Sequence, residues 1–256
     1  MAPDVTSPHR HHFRLAYGVL ALAFWISIGG FAYLMTRDDP PASRSSWSAW
    51  KPSSADLAGA GEIGRHVSRA YRSDSGRQLV AVQEHPPVIQ GLPLEAIAIR
   101  KKATTGLIDP NIALYSGRRT LIYAFCGLGR GCAVPGIETK GRERLLHREA
   151  LELALYSFKY LDGVDTVVSL LPPTTTAGST AVFLRKDQVG HLLDRPIRAT
   201  LPSATPPPAS QYAGREASYV QSLTAPRTFP AAFEALPDGE AILVLQLSAE
   251  AASTDG

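Results

Sequence analysis

The segment from Leu15 to Met35 constrains this chain most, because it runs for 21 residues without a charged side chain. As a helix it would rise about 1.5 Å per residue, which matches a hydrocarbon core roughly 30 Å thick. Phe24, Trp25 and Ile26 at its centre leave no polar face of the kind that a surface helix of a soluble domain has. Residues 15–35 are therefore predicted to form a transmembrane helix.

A cleaved export signal is the alternative to a retained anchor. Such signals have an apolar core of about 7 to 15 residues, followed by small residues at the cleavage site. The apolar run here is longer and ends in Tyr33, Leu34 and Met35, which are bulky where that site needs small residues. Retention as an anchor is the expectation, and Gly29 and Gly30 keep the alternative open.

The charges beside this segment predict its orientation. Arg10 and Arg14 precede it, whereas Arg37 follows it. Positive charge near a membrane end favours the cytoplasm. Residues 1–14 are therefore expected to be a cytoplasmic arm, with the rest of the chain outside the cytoplasm and the lipid bilayer as its first partner.

Two cysteines suit that compartment. Cys126 and Cys132 enclose a spacer that contains Gly127, Gly129 and Gly131, and such a spacer can curl enough to bring both thiols within disulfide reach. The pair is a disulfide candidate, and two free cysteines are the alternative. A zinc site would need two more ligands, and the spacing is not C-x-x-C, so no metal and no cofactor are predicted.

Charge excludes one class of partner. The chain has 26 basic and 23 acidic residues and a formal net charge of +3. Nucleic-acid-binding domains concentrate basic residues, often with aromatic residues among them, and no stretch here combines the two. No nucleic-acid partner is expected.

Stretches rich in proline, glycine and serine, which are typical of turns and loops, divide the exported part of the chain into segments. Residues 36–54 are predicted to be a stalk or entry segment, and residues 55–201 an extracytoplasmic α+β domain. A proline-rich break is expected at 202–210, then a C-terminal segment at 211–248 and a disordered tail at 249–256. Trp47 and Trp50 in the entry segment could lie at the membrane interface or dock onto the domain.

Two helices are predicted by apolar spacing. The first begins at Ser54 as its cap, with Asp56 in the first turn. The second runs from about residue 142 to 162 before a stop at Gly163, and its narrow polar edge includes Arg148 and Glu152. We expect this second helix to pack across a sheet.

Strands are predicted between these helices and after them, because apolar runs alternate with turn residues. They are Gln78–Gln83, Leu94–Arg100, Thr120–Phe125, Thr166–Leu171, Ala181–Arg185 and Ala241–Leu247. The last strand could return to the main sheet. The expected fold is therefore α+β, with a mostly antiparallel sheet and one well-packed central helix.

Few polar residues stand out as site candidates. Glu143 and His147 are spaced i,i+4 and could share a helix face, but a solvated helix start also explains them. His66 is isolated and is expected at the surface or as a cap. The chain has no G-x-S-x-G motif, so no catalytic residue is assigned.

Several features together resemble a group of proteins. They are the single N-terminal anchor, the segment from Trp47 to Trp50, the 142–163 helix leading into 164–168, and the Asp-Arg-Pro step at 194–196. In this order they resemble uncharacterised single-pass membrane-anchored proteins of GC-rich Gram-positive bacteria. The resemblance implies a cell-envelope location and transfers no catalytic residue.

Two function classes follow. The first is a non-enzymatic envelope protein whose domain binds a protein or wall component through a sheet edge or loop. The second is an anchored hydrolase of wall or peptide substrates, with a site built from Glu143, His147 or His66. A pocket lined by two of these residues would favour the hydrolase, and an exposed apolar patch at a sheet edge would favour binding.

Overall fold

Helices and strands alternate irregularly along the chain. The computed structural model describes residues 46–89, 91–100, 112–174 and 179–246. The longer helices of this part are α1 Leu57–Ser68, α2 Lys140–Tyr160 and α3 Arg215–Thr224. The strands are β1 Ala81–His85, β2 Val88–Ile89, β3 Leu92–Arg100, β4 Ile112–Ser116, β5 Thr120–Cys126, β6 Thr166–Leu171, β7 Thr180–Arg185, β8 Thr228–Ala235 and β9 Ala241–Gln246.

The strands pair in the order β1-β5-β6-β7-β8-β9-β3-β2, and β4 also pairs with β3. The β5–β6 and β3–β9 pairings are parallel, and the other pairings between these strands are antiparallel. β9 thus brings the C-terminal part of the chain back beside β3. The predicted α+β class and mostly antiparallel sheet are confirmed.

β8 connects two halves of this sheet. Its first residues, from Thr228 to Pro230, pair with β7, whereas Ala231 to Ala235 pair with β9. Side chains of successive residues in a strand point to opposite faces. In β5 this places Tyr123 in a core shared with the helices, and Ile122 in a second core shared with β3 and β9.

Both faces of the β5–β6–β7 half are therefore covered. The core on the helix side includes Leu121, Phe125, Val167, Val182 and Leu184 from the strands, together with the buried faces of α1, α2 and α3. The second core includes Val168, Phe183, Ile97, Ile99, Leu243 and Leu245. Because both faces are buried, the sequences of these strands are continuous apolar runs and do not alternate between apolar and polar residues.

The first helix begins differently from the prediction. Asp56, not Ser54, is the N-cap, and its carboxylate accepts hydrogen bonds from the backbone of Ala58 at 3.0 Å and Gly59 at 3.3 Å. Ser54 donates its hydroxyl hydrogen to the same carboxylate at 2.7 Å. A Cβ added at Gly59 would lie 2.0 Å from the Ser54 carbonyl oxygen, so this glycine permits the close approach of the entry segment.

The second helix is the central helix of the fold, as predicted, and lies between α1 and α3. Thr139 caps it, so it begins two residues earlier than expected. It ends at Tyr160 because Leu161 is extended and the Asp162 N–H is donated to Ala55 across the chain, at 2.9 Å. Gly163 follows with a φ of +69°, which is the stop that the sequence indicated.

Other elements differ more from those predicted from the sequence. β1 begins at Ala81, three residues after the predicted start, because Gln78 instead forms an isolated bridge with Arg72. β4, β8 and α3 were not predicted, and β8 contains Pro230, a residue that usually argues against a strand.

The two entry tryptophans dock onto the domain, which decides between the two placements left open. Trp47 is 9% exposed, and its ring meets those of Tyr156 and Tyr160 edge-on, with centroids 5.2 and 5.6 Å away. Trp50 stacks on His66 at 3.9 Å. These contacts attach the start of the described chain to α1 and α2.

The predicted cytoplasmic arm at 1–14, the 15–35 helix and the 249–256 tail lie outside the described residues. Within the described ranges, no helix is both long enough and apolar enough to cross a membrane.

Candidate functional site

Glu143 and His147 line one cleft beside the start of α2. The cleft has a volume of about 380 Å³ and lies between α2, the end of β6 and the starts of β7 and β8. Its other lining residues include Thr139, Lys140, Arg142, Leu146, Leu171, Pro172, Thr180 and Thr228. The i,i+4 spacing therefore does place both candidates at one concave surface.

His147 is not solvated, so the expectation of a solvated helix start is wrong for this residue. His147 is only 2% exposed. Its Nδ1 atom lies 3.4 Å from Gln221 Oε1, and its Nε2 atom lies 3.4 Å from Thr228 Oγ1. Burial lowers the pKa of His147, and the Glu143 carboxylate acts in the opposite direction. The imidazole is therefore held neutral in the folded protein at physiological pH.

This geometry does not make an activated nucleophile. Thr228 donates its hydroxyl hydrogen to the Thr224 carbonyl oxygen at 2.9 Å, so that hydrogen is not shared with His147. The Thr228 oxygen also lies 3.4 Å from His147 Nε2, which is longer than the distance of about 2.6 to 3.2 Å that is typical between a nucleophile and its base. His66 is not among the residues that line the cleft, because it stacks on Trp50.

Among the residues that the structure describes, no three His, Cys, Asp or Glu side chains come close enough together to hold a metal ion.

A charged network lies inside the domain, on the narrow polar edge of α2. Arg148 is fully buried and Glu152 is 7% exposed, so this part of the edge faces other parts of the chain and not solvent. Arg148 donates to Glu152 at 2.9 Å and to the Ser203 carbonyl oxygen at 2.7 Å, and it also pairs with Glu216. Tyr71 donates to Glu152 at 2.7 Å.

This network joins distant parts of the chain to α2. Tyr71 follows α1, Glu216 lies in the first turn of α3, and Ser203 lies in the proline-rich stretch. Glu216 also accepts the Ser203 hydroxyl hydrogen at 2.9 Å. Since every charge has a partner, the network favours this arrangement of helices over others.

The i,i+4 spacing of Arg148 and Glu152 was visible in the sequence, but the burial of these two side chains was not. Arginine and glutamate are almost never fully buried unless they are paired, and the partner Glu216 is 68 positions away from Arg148. No local pattern links the two.

The Cys126–Cys132 disulfide is present, as predicted, with Cα atoms 4.3 Å apart. The loop that it closes is further held by a hydrogen bond from Gly127 N to Cys132 O at 2.8 Å. Cys132 has a φ of +64°, a left-handed conformation that few residues other than glycine adopt.

Strand β4 provides an exposed apolar edge. In the described part of the chain β4 pairs with β3 alone, so its other edge has no strand partner. Leu114 is 68% exposed and Ile112 is 40% exposed, and the two side chains point to the same face because they are two residues apart. Tyr115 points to the opposite face and packs against Phe183 at 5.2 Å, which holds the strand on the second core.

The sequence did not indicate this edge. Its residues, Ile-Ala-Leu-Tyr-Ser, follow the Asp109-Pro110 turn signal, and their run of four apolar residues is too short to distinguish a strand from a loop.

Comparison with protein-family models, with curated proteins and with solved structures gives no match to this chain.

Proposed function

We propose that this protein is a non-enzymatic, membrane-anchored envelope protein whose outward-facing domain binds an extended segment of another envelope protein along β4. The apolar segment 15–35 supports the anchor, and the disulfide supports an oxidising compartment. The exposed pair Ile112 and Leu114 on an unpaired strand carries the proposal.

An added strand would satisfy the backbone groups of β4 that face away from β3. Main-chain hydrogen bonds give such complexes their affinity, and alternate side chains give them their specificity. The partner's apolar side chains would cover Leu114 and Ile112, while Tyr115 keeps the strand fixed from below. Edge strands in natural proteins are usually blunted by charge or proline, and the residues of β4 are uncharged and contain no proline.

Site-specific photocrosslinking in intact cells tests this proposal. A benzophenone amino acid in place of Leu114 should give one discrete adduct with a protein, because a partner strand lies beside it. The same amino acid in place of Leu57, which is 43% exposed on α1, is the matched control and should not give that adduct.

The crosslinked segment then provides the decisive assay. A synthetic peptide of that segment should bind the purified full-length protein, and Ile112→Lys should weaken binding roughly tenfold, equal to about 1.4 kcal/mol. Equal adducts at positions 57 and 114, or a peptide that binds the Ile112→Lys variant as well as the original, would contradict strand addition at β4.

The cleft of Glu143 and His147 favours a second candidate, an anchored hydrolase of wall or peptide substrates. Two of the named polar residues do line one cavity there. The candidate is weaker because the Thr228 hydroxyl hydrogen is committed to Thr224. Glu143→Gln, at an exposed position, tests it: lost cellular function with an unchanged fold and unchanged β4 binding would support the hydrolase.

A further inference from the structure

A second apolar surface surrounds the disulfide, apart from β4. We call residues 127–139 the disulfide loop. Leu128 is 54% exposed and Ile137 is 87% exposed, and both lie in this loop. An isoleucine left almost fully in water, next to a second large aliphatic side chain, is typical of a surface that a partner covers.

Hydrogen bonds constrain the backbone of this loop. Gly129 N donates to Ala133 O at 2.9 Å, and the Arg142 guanidinium donates to the carbonyl oxygens of Val134 at 3.3 Å and Gly136 at 3.2 Å. A Cβ at Gly127 would lie 2.3 Å from Ala133 O, so the two strands of the loop are tightly apposed. Preorganisation of this kind lowers the entropic cost of binding.

Ile137 separates two open clefts. The first, of about 320 Å³, lies between the disulfide loop and the turn that precedes β1. Its apolar lining comes from Leu79, Leu128, Val134, Pro135, Ile137 and Ala209. The second, of about 490 Å³, extends from Ile137 toward Pro173. A short segment that crosses Ile137 would place side chains in both clefts.

The lining of the first cleft carries two arginines, Arg77 and Arg142, and one carboxylate, Asp74. Arg77 is exposed there, and among the described residues it forms no ion pair. Asp74 already accepts the Ser210 N–H at 2.9 Å and the Ser210 hydroxyl hydrogen at 2.8 Å. Arg77 is therefore available to pair with a carboxylate on a segment that lies in this cleft.

We infer that the disulfide loop binds a short acidic and aliphatic segment of a partner protein, with an aliphatic side chain over Ile137 and a carboxylate on Arg77. This surface shares no residue with β4, so it is a second docking site rather than an extension of the first.

Fluorescence anisotropy with the full-length protein in detergent tests the inference. The probe is a labelled peptide of alternating leucine and glutamate, and the control peptide has glutamine in place of glutamate. The first should bind saturably and the second roughly tenfold more weakly, because it lacks the charge that Arg77 pairs with.

Two variants locate the site. Arg77→Glu and Ile137→Asp, both at exposed positions, should each weaken binding of the glutamate peptide roughly tenfold, or about 1.4 kcal/mol. Arg118→Glu makes the same charge change at an exposed arginine outside the disulfide loop and should leave binding unchanged. No saturable binding, or equal weakening by Arg77→Glu and Arg118→Glu, would overturn the inference. Binding that survives Ile112→Lys would separate this site from β4.

Discussion

At the scale of single residues, the interior charge of Arg148 matters most. Its guanidinium is buried, pairs with the carboxylates of Glu152 and Glu216, and donates to the carbonyl oxygen of Ser203. Removal of one partner from a buried ion pair leaves the other charge without compensation, which costs more than the pair itself contributes.

Arg148→Met should therefore destabilise the domain by about 3 to 5 kcal/mol. Arg119→Met is the matched control, because Arg119 pairs with Asp165 at 2.9 Å but its side chain is 63% exposed. That change should cost at most about 1 kcal/mol. Urea denaturation of both variants measures the difference, and equal losses would show that the Arg148 network does not hold the helices together.

Glu149 lies beside this network without joining it. It is fully buried, and neither carboxyl oxygen has a hydrogen-bond partner among the described residues. Burial raises the pKa of Glu149 well above its ordinary value, with Glu152 acting in the same direction and Arg148 against it. The folded protein thus keeps a proton that the unfolded chain releases at neutral pH, so this group favours folding at low pH and opposes it as the pH rises.

Glu149→Gln should raise the free energy of unfolding at pH 7.5, because the amide needs no proton. The gain should shrink as the pH falls toward 4.5, by up to about 1.4 kcal/mol per pH unit. A gain for Glu149→Gln that is the same at both pH values would mean that Glu149 is ionised in the folded state.

At the scale of elements, the glycines of α1 have two different roles. A Cβ at Gly59 would lie 2.0 Å from Ser54 O, whereas a Cβ at Gly64 would lie 3.4 Å from a methyl group of Val82, an ordinary contact. Helix propensity alone does not distinguish these two positions, because glycine is unfavourable in any helix interior.

Gly59→Ala should consequently destabilise the domain, because the entry segment must move away from α1. Gly64→Ala should be neutral or stabilise the domain by up to about 1 kcal/mol through helix propensity. Thermal unfolding followed by circular dichroism compares the two variants. Similar behaviour of both would show that the contact between Ser54 and Gly59 is not maintained.

Apolar spacing was enough to predict α1 and α2 and the strands β1, β3, β5, β6, β7 and β9, since each of these elements contains a run or a stripe of apolar residues. It did not predict β4 or α3, which are short and partly exposed. The i,i+4 spacing also placed Glu143 and His147 together. It could not show that His147 is buried against Gln221 and Thr228, because those contacts come from α3 and β8.

At the scale of the whole molecule, the described strands form two halves that share a core, and helices cover one of them. β8 and β9, which follow the proline-rich stretch, complete the second half. The two proposed docking surfaces, β4 and the disulfide loop, belong to different parts of this arrangement. An anchored protein with two such surfaces would hold partner segments near the membrane.

The proposed function requires a domain that faces outward from a retained anchor, and protease accessibility tests that orientation most directly. A tag at each terminus is followed after protease treatment of intact cells and of lysed cells. We predict that the C-terminal tag is lost from intact cells, while the N-terminal tag is protected until lysis. Protection of the C-terminal tag in intact cells would contradict the outward orientation and, with it, the proposed binding of envelope proteins.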